Sequence, residues 1–385
     1  MSTDLPVPET RVLAIASHVV YGYVGNTMAV FVMQSLGCEV AALNTVQFSN
    51  HKAYKQVKGT IASGEEIRDI YEGLKQSYLT DFDIMLSGYA PSAEAVGAIG
   101  SIGRDLKLKG INKSGSFFWV LDPVMGDQGR LYVNEDVVPA YKNLLHDTDL
   151  ILPNQFEAEL LSEQKIICLD SLAEAVTVLH KRYRIPHIVV TSVRLEESSG
   201  TISVVGSTIR TDSTPRLFKI DVPAIDCFFS GTGDMFAALT VVRLREAVAA
   251  AKLGSTRSWI SPDDVEATDL PLARATEKVL ASMQVVLEKT KTARDEALER
   301  MSGPLGTLER ERDSEKRLHL RKTKAAEVRV VRNVADLKEP KVVFRAEAFD
   351  GKESDDARPN AEDIERDDGC SEKEEVNDDH KEESK

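Results

Sequence analysis

Short apolar runs alternate along this chain with longer stretches in which apolar residues recur every three or four positions. Residues 12–16 (Val-Leu-Ala-Ile-Ala) predict a first strand. A glycine-bearing turn follows, then a helical pattern reaching Leu36. Residues 39–46 predict a second strand. Ser63-Gly64-Glu65-Glu66 has the form of a capping box and opens a helix to about Gln76. Residues 84–87 predict a strand, 92–108 a helix, and 117–121 (Phe-Phe-Trp-Val-Leu) a strand that is apolar on both faces. Further strands are expected at 150–152, 188–190 and 203–205. Strands without polar alternation, separated by helices, predict an α/β fold: a mostly parallel central sheet with helices on both faces. Ligands in such sheets bind beyond the carboxyl ends of the strands.

The residues that follow the predicted strands are accordingly polar or small. They include Ser17-His18 with Gly22 and Gly25, the cluster Gln47-Phe48-Ser49-Asn50-His51, and Ser87-Gly88-Tyr89. After the Phe-Trp strand come Asp122 and Asp127, separated by a proline and a glycine. That pair suits a bend holding a cation or its water shell, and equally a charged surface turn. Asn154 and Glu157 follow Pro153 at a helix start that faces the same crevice, where Glu157 could hold a magnesium-bound water. Thr191 and Ser192 supply hydroxyls of the kind that contact nucleotide phosphates. Gly231-Thr232-Gly233-Asp234 precedes an apolar helix beginning near Thr232. Helix-start N–H groups can hold phosphate or a developing oxyanion, and a first-turn carboxylate can take a proton from an alcohol. Taken alone, those four residues fit a turn and helix cap at least as well.

Composition narrows the choices. The chain has 385 residues, is 42% hydrophobic, and carries a net charge of −14. Residues 350–385 hold 16 acidic against 6 basic residues, so most of the acidity belongs to the C-terminal tail. No basic surface of the kind that binds nucleic acid is evident. Cys38, Cys168, Cys227 and Cys370 are scattered, without CxxC or a histidine cluster, which argues against zinc or a disulfide framework. The first residues lack a signal-peptide pattern, and no apolar run reaches the ~18 residues of a membrane span. The expectation is a cytoplasmic chain.

The motifs Ser17-His18-Val19-Val20…Gly25-Asn26, Asn44 to His51, Asp122-Pro123-Val124-Met125-Gly126-Asp127, Pro153-Asn154-Gln155-Phe156-Glu157 and Gly231-Thr232-Gly233-Asp234 together resemble the pyridoxal kinase family of the ribokinase-like superfamily. They span residues 12 to 244 in family order, and 329–344 resembles the closing strand region. The resemblance implies phosphorylation by ATP of the 5′-hydroxymethyl group of pyridoxal, pyridoxine or pyridoxamine. A divalent cation such as Mg2+, a potassium ion and a homodimer are implied with it. Asp234 matches the catalytic base, and Gly231, Thr232 and Gly233 match the anion hole. Ser17, Val46, His51 and Tyr89 match vitamin-pocket positions. Asn154, Glu157, Thr191, Ser192 and Ile225 match nucleotide or metal-side positions. Asp122 and Asp127 flank the phosphates and cations, with Glu157 as the third metal-side carboxylate, and Tyr132 lies in a flap over the nucleotide.

The sequence departs from the family at Lys52 and Leu152, where threonine is common. The resulting division is a flexible N-terminus (1–10), a kinase domain (11–349) with an inserted surface loop at 252–271, and a disordered acidic tail (350–385), inert or an interaction segment. Residues 309–324 are densely charged and suit a solvated helix or loop. Two rivals stay open. A hydroxymethylpyrimidine kinase on the same fold is disfavoured by the Thr45–His51 cluster. A non-catalytic carrier of pyridoxal 5′-phosphate is disfavoured by an intact Asp234 and anion hole.

Overall fold

The computed structural model describes residues 7–194, 200–302 and 315–349. Its first half runs β1 (Arg11–Tyr21), α1 (Gly25–Ser35), β2 (Glu39–Asn50), β3 (Gly59–Ile61), α2 (Gly64–Gln76), β4 (Ile84–Ser87), α3 (Ala93–Lys109) and β5 (Phe118–Leu121). A small hairpin, β6 (Gly126–Asp127) and β7 (Arg130–Leu131), precedes α4 (Val137–Leu144), β8 (Leu150–Ile151), α5 (Gln155–Ser162) and α6 (Leu169–Tyr183). Then come β9 (His187–Val193), β10 (Thr201–Ile209), β11 (Pro215–Pro223), α7 (Thr232–Ala250), α8 (Pro271–Ser302), α9 (Glu315–Ala325), α10 (Val334–Lys338) and β12 (Glu347–Ala348).

The strands form one sheet in the order β12-β11-β10-β9-β8-β5-β4-β1-β2-β3. Pairings from β2 across to β9 are parallel, and the pairings outside them are antiparallel. Side chains alternate between two cores, as the pleat requires. Val12, Ala14, Ile84, Leu86, Phe118 and Val120 face α1, α7 and α8. Leu13, Ile15, Met85, Trp119 and Leu121 face α2 to α6. The expected α/β fold, with a mostly parallel sheet covered on both faces, is the one observed. No helix among the described residues is long and apolar enough to cross a membrane.

Several expectations change. The first two strands are longer than their apolar runs, because pairing with each other carries β1 and β2 onward to Tyr21 and Asn50. The helix α6 and the strand β11 have no counterpart in the sequence reading. The closing strand is Glu347–Ala348 alone, against Phe218 and Lys219 of β11, and it lies beyond 329–344. Within the N-terminus expected to be flexible, Val7 and Thr10 are buried; residues 1–6 lie outside the described residues. So do residues 350–385. The densely charged stretch becomes α9 from Glu315, its earlier part lying outside the described residues.

The segment 252–271 is not a simple surface loop. Trp259 is buried and stacks on Phe118 with ring centroids 4.0 Å apart, while its indole N–H donates to the Gly115 carbonyl. The buried Arg216 of β11 donates to the carbonyls of Ser261, Pro262 and Val265, which ties the segment to the sheet. Serine, aspartate and proline had suggested exposure. One tryptophan and a distant arginine decide otherwise.

Candidate active site

The residues singled out above lie in the carboxyl-terminal parts of the parallel strands, just beyond them, or at the helix starts next to them. Asp122 directly follows β5, Asn154 and Glu157 follow β8, and Thr191 and Ser192 end β9. On the other side Ser17 and Val46 pair across β1 and β2, His51 follows β2, and Tyr89 follows β4.

Two helix N-termini meet at Asp234. Gly231 caps α7 with φ +83, and a Cβ there would lie 2.1 Å from the Tyr23 carbonyl oxygen, so only glycine fits. Asp234 occupies the first turn of α7, and the N–H of Gly25, which opens α1, approaches its carboxylate. The Asp234 side chain keeps some accessible surface, yet the crevice walls desolvate it enough to raise its pKa above the ordinary carboxylate value. The Gly25 N–H works against that rise.

Asp122 is buried, and burial pushes its pKa well above the usual range, with the charges of Glu157 and Asp234 adding to the effect. One of its oxygens lies 3.9 Å from where a Cβ of Gly233 would stand, which places it against the start of α7. Its carboxylate has no hydrogen-bond or ion-pair partner among the described residues. A buried acid without a partner, beside two further carboxylates, is an unbalanced charge that suits a cation.

Glu157 is differently placed. Its Oε1 accepts from the N–H groups of Met125 (2.8 Å) and Gly126 (3.3 Å), and its Oε2 from the Asn154 N–H (2.9 Å). Asn154 accepts in return from the Glu157 N–H and donates to the Gly126 carbonyl, so the pair forms a capping box that also clasps the β6–β7 hairpin. Burial raises Glu157 to about 7 despite those three donors. With so much of the carboxylate committed to N–H groups, Glu157 offers a cation mainly its charge. Asp127, on the hairpin, accepts from the Gln128 N–H at 2.8 Å, and Tyr132 is exposed beside it.

A cavity of about 500 Å3 opens on the β9 side of this carboxylate group. Asp127, Thr191, Ser192, Ile225, Thr232 and Gly233 line it, with Val204, Leu280 and Met283 forming an apolar wall. Asp122, Asn154, Glu157 and Tyr132 do not line this cavity.

On the β1–β2 side, the pairing register shifts between Ala16 and Ser17 and leaves Thr45 as an extra residue in β2. Such bulges re-aim side chains at sheet rims. Thr45 donates to the Tyr89 carbonyl (2.8 Å), and the buried Asn26 holds the bulge by donating to Leu43 O and Asn44 Oδ1. Lys52 is exposed, with its ammonium 5.6 Å from the centre of the Tyr89 ring. Sequence reading missed Thr45 as a bulge residue, and it missed Glu327, whose carboxylate meets His51 Nε2 at 2.7 Å. No local motif flags Glu327; the chain brings it back from far along the sequence.

Residues 41–258 match the family model described as phosphomethylpyrimidine kinase. A putative pyridoxal kinase of Schizosaccharomyces pombe is 39% identical over 285 residues, covering 73% of this chain and 85% of that relative. The chain belongs to the pyridoxal kinase family. Human pyridoxal kinase is 38% identical over 242 residues, 60% of this chain and 76% of the human one. The solved structure of pyridoxal kinase from Leishmania donovani in complex with ADP and pyridoxamine superposes with a TM-score of 0.71 at 28% identity, covering 89% of this chain and all of that one. The chain is therefore an ATP-dependent kinase acting on an alcohol group, with the ribokinase-like fold. The family model carries the name of the hydroxymethylpyrimidine rival, whereas these relatives are pyridoxal kinases. A non-catalytic carrier does not fit a kinase family.

Proposed function

We propose that Asp234 is the base in the phosphorylation by ATP of the 5′-hydroxymethyl group of pyridoxal, pyridoxine or pyridoxamine on this chain. The observation that carries the assignment is the convergence of the α1 and α7 N-termini on Asp234, with Asp122 alongside. Asp234 takes the proton of the vitamin alcohol as its oxygen attacks the γ-phosphorus and ADP departs. The N–H groups at Gly231, Thr232 and Gly233 face the oxygens on which charge gathers, without having to reorganise. The apolar wall of the adjoining cavity suits an adenine ring, and Thr191 and Ser192 suit the phosphates. Ser17, Val46, His51 and Tyr89 hold the vitamin on the opposite side of Asp234. Asn154 and Glu157 shape the hairpin that carries Asp127 and Tyr132 towards the nucleotide.

Asp122 would hold a divalent cation such as Mg2+, with Asp127 and Glu157 adding negative charge. Such an ion neutralises phosphate charge when bound. The potassium ion and the homodimer belong to the same reading and rest on resemblance alone, whereas the cytoplasmic location is an expectation from the sequence.

The test is a panel of the three vitamers and hydroxymethylpyrimidine with Mg-ATP, followed by ADP release. Turnover of the vitamers with little turnover of hydroxymethylpyrimidine is expected. A preference for hydroxymethylpyrimidine would overturn the substrate assignment and leave the kinase chemistry standing.

A further inference from the structure

Glu327 follows α9 and lies well outside the 41–258 region matched by the family model. The helix α9 crosses the short helical turn Lys52–Tyr54, where His319 Nε2 meets the Ala53 carbonyl at 2.8 Å. That crossing delivers Glu327 to His51. Its Oε1 lies 2.7 Å from His51 Nε2 and 2.8 Å from the Tyr54 hydroxyl, and all three side chains are largely withdrawn from solvent. Burial alone would raise the Glu327 carboxyl, but the bonds from His51 and Tyr54, with the Tyr23 N–H, outweigh it and hold its pKa below the ordinary value. An ionised carboxylate only accepts, so the hydrogen between the two residues sits on His51 Nε2. The other ring nitrogen, Nδ1, is buried and has no partner among the described residues. Buried polar atoms normally find one, and a protein atom left unpaired in this way awaits a ligand or a water. The same turn carries Lys52 over the Tyr89 ring, which ties His51 to the vitamin side of the site.

We propose that Glu327 is a positioning residue for the vitamin: it fixes the His51 ring with the hydrogen on Nε2, so that Nδ1 faces the pyridine ring as an acceptor for its phenolic hydroxyl. This rests on the reading of the chain as a vitamin B6 kinase with His51 in its vitamin pocket. Residues 315–349 thereby become part of the substrate site, although none of them lines the nucleotide cavity.

The experiment compares wild-type, Glu327→Gln, Glu327→Ala, Glu327→Asp, His51→Gln and the Glu327→Ala/His51→Gln double variant. Steady-state kinetics are measured with pyridoxal and ATP, and the tautomer of His51 is read from ring 15N shifts. For Glu327→Ala, KM for pyridoxal should rise at least tenfold, with kcat and KM for ATP changing less than threefold. Glu327→Asp should recover part of the loss. The double variant should be no worse than His51→Gln alone, because Glu327 acts through the histidine. The wild-type ring should show the Nε2–H pattern and lose it in Glu327→Gln. If Glu327→Ala misfolds, Glu327→Gln and Glu327→Asp carry the same comparison. Unchanged KM for pyridoxal in the Glu327 variants, or additive losses in the double variant, would overturn the proposal while His51→Gln still raised KM. A wild-type chain that turned over no vitamer, or a silent His51→Gln, would instead overturn the vitamin-site reading on which the proposal stands.

Discussion

A carboxylate at a helix start feels two opposed effects: the N–H groups favour its charge, and the surrounding wall disfavours it. At Asp234 the wall wins, so its pKa lies above the ordinary value. Asp234→Asn keeps the size and capping ability but removes the proton acceptor. Turnover should fall roughly 10²- to 10⁴-fold, the usual share of general base catalysis, with pyridoxal affinity nearly kept. Near-native turnover would end its assignment as base. Because the wild-type carboxyl is raised, kcat should begin to fall on the acidic side at a higher pH than an exposed aspartate would give. Lys52 presents the opposite case. It replaces a common threonine, yet it is exposed and its ammonium rests over the Tyr89 ring. Exposed cation–π contacts contribute only about 0.5–1 kcal/mol. Lys52→Thr should therefore change KM for pyridoxal by less than about tenfold, which is ~1.4 kcal/mol. Steady-state kinetics with both proteins decide it, and a hundredfold change would place the lysine inside the pocket.

At the level of elements, the stretch 252–271 shows how composition misleads. Despite its many polar residues it is anchored twice, by Trp259 on Phe118 and by the carbonyls gathered by Arg216, and Ser258 and Ser261 are themselves buried. Removing a buried tryptophan typically costs about 3–5 kcal/mol. Trp259→Ala should show a loss of that order in urea denaturation, whereas a surface loop would lose ~0.5 kcal/mol or less. The capping boxes behave in the contrary way. Ser63 with Glu66 was legible as a helix start because both partners are three residues apart, and the structure has both bonds, at 3.1 and 2.7 Å. Asn154 with Glu157 has the same spacing. The sequence presents Glu157 as a metal-side carboxylate, but three N–H donors occupy it.

Across the whole molecule, the acids Asp122, Glu157 and Asp234 place negative charge together in a desolvated crevice. Each has a raised pKa, so the folded chain binds more protons than the unfolded one between the ordinary carboxylate range and the raised values. Stability from this cluster is therefore lost as pH rises through that window, which for Glu157 runs from its ordinary value up to about 7. Asp122→Asn should raise the melting temperature of the ligand-free protein above the raised carboxyl pKa values, flatten its decline as pH rises above the ordinary carboxylate range, and lower turnover. Divalent cation should stabilise the wild type more than this variant. A lower melting temperature in Asp122→Asn would show that the cluster is not a source of strain. Stability given up at a working site is a common exchange for function.

The amino-acid sequence by itself determined the α/β class, because short apolar runs alternating with longer helical patterns suit strands covered on both faces, and it determined which strand ends carry polar groups. It also contained the Gly-Thr-Gly-Asp helix start, a local feature whose meaning depends on residues in contact along the chain. Only the tertiary structure decided what depends on distant partners. Asp122 became a buried acid without a partner among the described residues because β5, β8 and α7 meet around it. Trp259 became core because Phe118 lies under it. Glu327 reached His51 because α9 crosses the Lys52–Tyr54 turn. Local patterning fixes elements through short-range geometry, whereas burial, charge balance and the partner of a given side chain are set by which elements the sheet brings together.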